Sequence, residues 1–390
     1  VHCCKVTDAK HCIVGDERAD VLAPELPGLP FGQGHGSCFW MKDAVDRKAP
    51  DWAMDASQAM QGHADLGLPE TPGILAGDVA LYIFTSGTTG LPKAATYKHQ
   101  RLVTAANLLG KLTLRPKPGD RLYLCLPIYH ITGLGPGLCG FIAAGGTVCL
   151  RRTFSAGKFW SEVQAWQTNS FVYVGELCRY LVTQAPTDAE KNNPLQKMVG
   201  NGLRPDVWDE FKSRFDVDRI CEVYGSSEGN VTFLNLLNKD RTIGTTSVEV
   251  ALVKYDVNEE AIVRDDAGLC ELAKSGEPGL LLGKITDITP FDGYTDAEAT
   301  NNKIIENVKE AGARWFNTGD LVREINVGFA MGLKHYQFVD RTGDTFRWRA
   351  ENVSTNEVGE VLNSHPQINM ANVYGVEVPG TEGRAGSADH

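Results

Sequence analysis

Residues Tyr82–Lys93 read Y-I-F-T-S-G-T-T-G-L-P-K, and the two halves of this stretch ask for different structures. Tyr82, Ile83 and Phe84 continue the apolar run Val79-Ala80-Leu81, a β-branched and aromatic segment of the kind that sits inside a sheet. Thr85 ends it. Ser86-Gly87-Thr88-Thr89-Gly90 then supplies hydroxyl donors, two glycines free to take positive φ, and backbone N–H groups unencumbered by large side chains. Successive N–H groups in such a loop form an anion-binding concavity, and Lys93 adds a mobile charge beyond a stiffening proline. A polar hairpin turn is the plain alternative. The strand followed by S-G-T-T-G-x-P-K favours a phosphate cradle, and it is not a Walker loop, because no Gly-Lys-Ser/Thr comes after it.

This ordered string resembles the phosphate-binding signature of the adenylate-forming superfamily, which includes acyl-CoA synthetases, luciferases and peptide-synthetase adenylation domains. The resemblance implies ATP as a substrate, with Ser86, Gly87, Thr88, Thr89 and Gly90 on its phosphates and Thr85 and Lys93 close to the chemistry.

The rest of the chain bears on this reading. Its 390 residues suggest more than one unit. With 38 basic against 49 acidic residues the net charge is -11, which disfavours nucleic acid as a partner. Ten cysteines lie in apparent strands and loops without a pairing rhythm, which fits reduced thiols in a cytoplasmic protein. Cys3, Cys4, His11 and Cys12 cluster in sequence, but not at zinc spacing. Ile131–Leu150 is uncharged, yet its many glycines argue for a buried helix, a Gly-Gly turn and a strand Thr147–Leu150, not a membrane span.

Taken in order, the chain alternates strand and helix. An amphipathic helix is expected over Lys98–Leu112 and a strand over Arg121–Pro127. After these come strand Thr147–Leu150, a helix around Phe159–Asn169, strand Phe171–Val174 and helix Leu177–Gln184. Such alternation predicts an α/β fold with mostly parallel sheets flanked by helices. Short strands at Val248–Lys254, Ala261–Val263 and Gly279–Leu282 suggest a smaller β-barrel-like unit, and alternating charges predict a helix over Ala297–Glu310. The expected division is a large adenylation domain over 1–340, incomplete at its N-terminus, and the beginning of a small α+β C-terminal domain over 341–390.

Further segments carry the resemblance. Gly200-Asn201-Gly202 ends a strand where the family places adenine; a helix N-terminus introduced by Pro205 is the bland reading. In Tyr224-Gly225-Ser226-Ser227-Glu228 the ring can face a purine, and a carboxylate beside a triphosphate is useful when Mg²⁺ sits between them, so Glu228 is the expected metal ligand. In Asn317-Thr318-Gly319-Asp320, Asp320 at a strand–turn junction suits both ribose hydroxyls, and Arg341 is a second ribose or phosphate contact; an Asx turn is the alternative for Asp320. Tyr129-His130, delivered by a strand to its carboxyl end, resembles the segment that closes over the acyl substrate.

Gly202–Trp208, Pro290–Asp296 and Asp340–Arg349 followed by Glu351-Asn352-Val353-Ser354-Thr355 are similar to the fatty acid transport protein and very-long-chain acyl-CoA synthetase branch. That branch implies activation of a long- or very-long-chain fatty acid by ATP and Mg²⁺ to acyl-AMP, then transfer to CoA. Two departures stand out. Ala350 replaces the family's usual glycine near the CoA arm, and no lysine occurs after Lys334, whereas the family's adenylation lysine lies near the end of its C-terminal domain. A chain opening on Val1 and lacking that lysine is expected to be a fragment of weakened activity, with membrane association left to an N-terminal region outside it. The rival readings are a fatty-acid carrier without catalysis and a ligase for an aryl or other acid.

Overall fold

The computed structural model describes the chain apart from residues 31–35, 44–46, 62–72, 86–91, 226–228, 258, 295, 349–350, 364, 366–367, 369–370, 378–383 and 390. It divides into two units, residues 1–99 with 294–296, and residues 100–293 with 297–390.

In the first unit, helices α1 (His2–Val6), α2 (Asp16–Leu22) and α3 (Ala56–Met60) accompany a parallel sheet of β1 (Cys12–Gly15), β2 (Cys38–Met41) and β3 (Met54–Asp55). Val14, Leu26, Leu29, Cys38 and Trp40 form its small core. Asp55 caps α3 by accepting from the N–H groups of Ser57 and Gln58 at 2.9 and 3.2 Å. The segments flanking the Ser86–Gly90 loop form an antiparallel ribbon, β4 (Val79–Thr85) with β5 (Lys93–Lys98), in which Thr85 pairs with Lys93. Ile83, Ala94, Ala95 and Tyr97 are its buried members. Among the described residues no group of three or more His, Cys, Asp or Glu side chains is placed to hold a metal, Cys3, Cys4, His11 and Cys12 included. All ten cysteines are free thiols.

The division falls at the start of α4 (His99–Thr104), which continues as a π-helical segment over Ala105–Leu112. The second unit is built on a six-stranded sheet made from β6 (Arg121–Leu124), β7 (Thr147–Leu150), β8 (Ser170–Val174), β9 (Lys197–Asn201), β10 (Arg219–Gly225) and β11 (Thr232–Leu234). Its spatial order is 11-10-9-8-6-7, with every pair parallel except β10–β11. The crossovers are helical: a π-helical Gly133–Cys139 with α5 (Gly140–Ala143), then α6 (Ala156–Trp166), α7 (Gly175–Val182) and α8 (Pro205–Phe215). The uncharged run 131–150 is therefore helix, turn and strand as its glycines predict, with Gly145 at φ +74° making the turn.

Helical spacing explains the packing. α6 buries Phe159, Trp160 and Val163, and α8 buries Val207, Trp208, Phe211 and Phe215, so each lays one stripe on the strands. Trp160 and Phe215 meet at 4.3 Å between centroids, and Phe159 meets Tyr123 edge-on at 4.8 Å. At about 2–3 kcal/mol per buried large apolar side chain, this aromatic layer is the main attachment of the helices. Gln167 and Asp216 end the two helices in the left-handed conformation.

A second sheet is antiparallel and curled, in the order β12 (Val250–Val253), β15 (Gly279–Lys284), β17 (Arg314–Ile325) and β16 (Ile304–Glu306), with β18 (His335–Arg341) also paired to β17. A side hairpin, β13 (Tyr255–Asp256) with β14 (Ala261–Ile262), branches from it. Val253, Leu280, Leu282 and Trp315 fill one face, while Phe233, Leu281, Val322 and Tyr336 fill the other. The helix expected over Ala297–Glu310 is wrong beyond its first part. α9 covers only Ala297–Asn301, and Ile304-Ile305 pair as β16 with Phe316 and Trp315. Charge alternation suggested an exposed helix, but two β-branched residues beside an aromatic strand gain more by completing the sheet.

Two short antiparallel pairs and a helix close the unit: β19 (Phe346–Trp348) with β20 (Glu351–Val353), α10 (Thr355–Asn363), and β21 (Asn372–Glu377) with β22 (Arg384–Asp389). No helix among the described residues is long and apolar enough to cross a membrane.

Candidate functional site

Tyr224, Asp320 and Arg341 are far apart in sequence and meet in the second unit. Tyr224 lies near the carboxyl end of β10, pairs with Phe233 of β11, and touches that ring edge-on at 5.6 Å. Its hydroxyl donates to Asp320 Oδ2 at 2.5 Å. Burial and the Asp320 carboxylate push the phenol well above its usual pKa, so it stays a donor. Arg341 is the cross-strand partner of Asp320 on β18, with Nε 3.8 Å from Asp320 Oδ1 and an exposed side chain.

Asp320 is not at a strand–turn junction as expected, but inside the twelve-residue β17. A bulge projects it. Between the pairs Leu282–Asn317 and Leu280–Leu321, the residues Thr318, Gly319 and Asp320 stand opposite the single Leu281. Gly319 takes φ +78°, and its N–H donates to Asn317 Oδ1 at 2.9 Å. Thr318 Oγ1 donates to Leu281 O at 2.8 Å and accepts from the Asp320 N–H at 3.1 Å. The Thr342 N–H donates to Gly319 O at 3.0 Å, tying Arg341's neighbour to the same bulge. The carboxylate is thus held on backbone that is bonded without it.

Gly200-Asn201-Gly202 ends β9, next to β10. At Gly200 the space a Cβ would take belongs to Tyr173 of β8, whose carbonyl oxygen would be 2.1 Å away. Gly202 adopts φ +77°. Asn201 is exposed, and its Oδ1 accepts from Thr132 Oγ1 at 3.2 Å. That bond links the end of β9 to the segment after β6 that carries His130, which is exposed beside Tyr129 at 4.7 Å between rings.

Gly225 ends β10 at the surface. Ser226, Ser227 and Glu228 lie outside the described residues, but the two positions after them are anchored. Arg101 Nη2 donates to Gly229 O at 2.6 Å, and Asn230 Nδ2 donates to the carbonyls of Lys284 and Thr289 at 2.9 and 3.1 Å. In the first unit, Ser86, Gly87, Thr88, Thr89 and Gly90 are likewise outside the described residues. The backbone of Thr85 and Lys93, on either side of them in sequence, forms the last pair of the ribbon, and Lys93 Nζ lies 5.6 Å from the centre of the Tyr294 ring.

Two carboxylates that sequence reading passed over organise this region. Glu222 on β10 is 3 % exposed and accepts from the Leu203 N–H at 3.0 Å and from the Tyr173 hydroxyl. Its signal was present as a lone acid in the apolar run Ile220-Cys221-Glu222-Val223. Asp340, fully buried, accepts from the Thr355 N–H at 2.7 Å, Thr355 Oγ1 at 3.0 Å and Asn356 Nδ2 at 2.8 Å, so it caps α10 from a distant strand.

Chemically, the Tyr224–Asp320–Arg341 group offers an aromatic face, a carboxylate able to accept from paired hydroxyls and an exposed guanidinium, a set suited to a nucleoside. A family model for AMP-binding enzymes matches residues 1–291. The chain is 45% identical over 315 residues to the medium/long-chain-fatty-acid–CoA ligase FadD6 of Mycobacterium tuberculosis, covering 81% of this chain and 52% of that protein. It is 38% identical over 397 residues to the human long-chain fatty acid transport protein 3, covering 100% of this chain and 56% of that one. The chain spans about half the length of the curated relatives it matches. The fold is that of a crystallised anthranilate CoA ligase (TM-score 0.78, 19% identity, 99% of this chain and 68% of the other). It is likewise that of a benzoate CoA ligase from Burkholderia xenovorans (TM-score 0.74, 18% identity, 99% and 70%). The chain belongs to the AMP-binding enzyme family.

Proposed function

We propose that this chain is the nucleotide-binding part of a fatty acid–CoA ligase acting on long- or very-long-chain acids. A carboxylate is a poor acyl donor. In the proposed reaction its oxygen attacks the α-phosphorus of ATP, the bond to pyrophosphate breaks, and acyl-AMP forms; the CoA thiolate then attacks the acyl carbon and AMP leaves.

The residues divide this work. Tyr224 and the Gly200–Gly202 backbone hold adenine, with Gly225 allowing close approach. Asp320 accepts from the ribose hydroxyls, and Arg341 reaches ribose or phosphate. Ser86, Gly87, Thr88, Thr89, Gly90, Ser226 and Ser227 take the phosphates with Lys93, and Thr85 and His130 border the reacting carboxylate and acyl chain. Glu228 supplies the hard oxygen donor that Mg²⁺ prefers, and the bound ion would neutralise phosphate charge.

The Tyr224–Asp320–Arg341 cluster carries this reading, in a family whose similar members include a fatty-acid ligase at 45% identity. The acid itself rests on the relatives' names, so the test must choose among acids. ATP–pyrophosphate exchange is measured with palmitate, benzoate and phenylalanine on the protein carrying this chain. Exchange driven by palmitate and abolished in Asp320→Ala is expected; exchange with benzoate alone, or palmitate exchange unchanged by the substitution, overturns the proposal.

A further inference from the structure

We propose that Glu222 is a positioning residue for the nucleotide: it pins the Gly202–Leu203 turn to β10 and so sets the spacing between the Gly200–Gly202 backbone and the Tyr224 ring. This role rests on the proposed nucleotide site and adds to it a residue that touches no ligand.

A carboxyl at this place needs a reason. Ile220 and Cys221 are buried beside it, and a valine would lie there without the desolvation cost of burying an acid. The compensation is local. The β9–β10 ladder ends at the pair Gly200–Glu222, and the chain then turns through Gly202 at φ +77°. The N–H groups of Gly202 and Leu203 point back at the carboxyl, with Leu203 N 3.0 Å from Oε1. Glu222 therefore satisfies donors that the sheet has released.

The turn is pressed from its other sides as well. A Cβ on Gly175, the first residue of α7, would fall 1.7 Å from Gly202 O. Tyr173 covers Gly200 and donates its hydroxyl to Glu222 Oε2, so one carboxyl ties β8 and the turn after β9 to β10. Leu203 is buried there, whereas Asn201 and Gly202 are exposed, with Asn201 Oδ1 accepting from Thr132 Oγ1 at 3.2 Å. Remove the carboxyl and the turn loses its only acidic tie among the described residues, while Tyr224 stays anchored to Asp320.

Mg²⁺-ATP and Mg²⁺-tripolyphosphate binding by calorimetry, with thermal unfolding as a control, tests this on Glu222→Ala, Glu222→Gln and Tyr173→Phe. Glu222→Ala is expected to bind ATP at least tenfold more weakly while tripolyphosphate, which has no base, binds as in wild type. Glu222→Gln is expected within threefold of wild type, because an amide keeps an acceptor for Leu203 and bonds Tyr173 with the direction reversed, its N–H donating to the hydroxyl oxygen. Unchanged ATP affinity in Glu222→Ala, or Glu222→Gln as weak as Glu222→Ala, overturns the positioning role. Should Glu222→Ala not fold, Tyr173→Phe decides: ATP weakened about threefold or more with tripolyphosphate unaffected supports it, and equal ATP affinity overturns it. A wild-type chain that binds no ATP removes the nucleotide site itself, a failure distinct from variants that leave real binding unmoved.

Discussion

Replacing Glu222 by glutamine should change how the stability of this protein depends on pH. Burial pushes the Glu222 carboxyl up from the 4.5 of an ordinary glutamate to about 8, against hydrogen bonds from Tyr173, Leu203 and Gly202 that pull it down. Between those two values the folded chain keeps a proton that the unfolded chain releases. Raising the pH therefore favours the unfolded state, by about 1.36 kcal/mol for each unit of the window. From pH 5 to pH 8 that is about three units, or about 4 kcal/mol lost by the wild type through this group alone. Glutamine has no such proton to lose. The difference in unfolding free energy between Glu222→Gln and wild type should move by about 4 kcal/mol in favour of the variant across that range, since the other titrating groups cancel in the difference. Urea unfolding followed by the fluorescence of buried Trp208 and Trp315 at pH 5, 6, 7 and 8 measures it. Parallel stability curves for the two proteins would refute the reasoning, because they would mean that Glu222 is as ionised in the fold as outside it.

Other consequences are as direct. Asp320→Ala removes an acceptor for paired hydroxyls and should weaken ATP binding about 10- to 100-fold, the 1.5–3 kcal/mol of a charge-assisted hydrogen bond, with calorimetry as the readout. Gly200→Ala would drive a methyl to within 2.1 Å of the Tyr173 carbonyl oxygen and should cost about 3 kcal/mol or more in urea unfolding; a loss below about 0.5 kcal/mol would show that β8 and β9 can part. Asp340→Ala leaves the Thr355 N–H and the Asn356 amide without their acceptor, so α10 should exchange its amide hydrogens faster by about 0.5–2 kcal/mol of protection while β8 and β9 stay unchanged.

Much of the parallel sheet was legible in the amino-acid order. Thr147–Leu150 is a strand with the predicted ends, and the strands around Phe171 and Met198 and the helices around Phe159 and Leu177 fall within a few residues of the periodic pattern. The reason is that in these elements side-chain period and burial agree, so the local pattern already records the face each one buries. The segment 297–310 escaped because its alternating charges suggested an exposed helix, while its fate depended on a strand edge presented by Trp315 and Phe316.

The amino-acid order by itself determined the strand that ends at Thr85, the alternation that makes a parallel sheet, and the short motifs holding Tyr224, Asp320 and Arg341, because each is a matter of neighbours along the chain. Only the tertiary structure decided that a bulge opposite Leu281 aims Asp320 at the Tyr224 hydroxyl, that Glu222 ties Tyr173 of β8 and the turn after β9 to β10, and that Asp340 caps a helix fifteen residues away. Those contacts pair a buried donor with an acceptor from another element. Whether such a polar group is costly or stabilising depends on a partner that the local sequence does not contain.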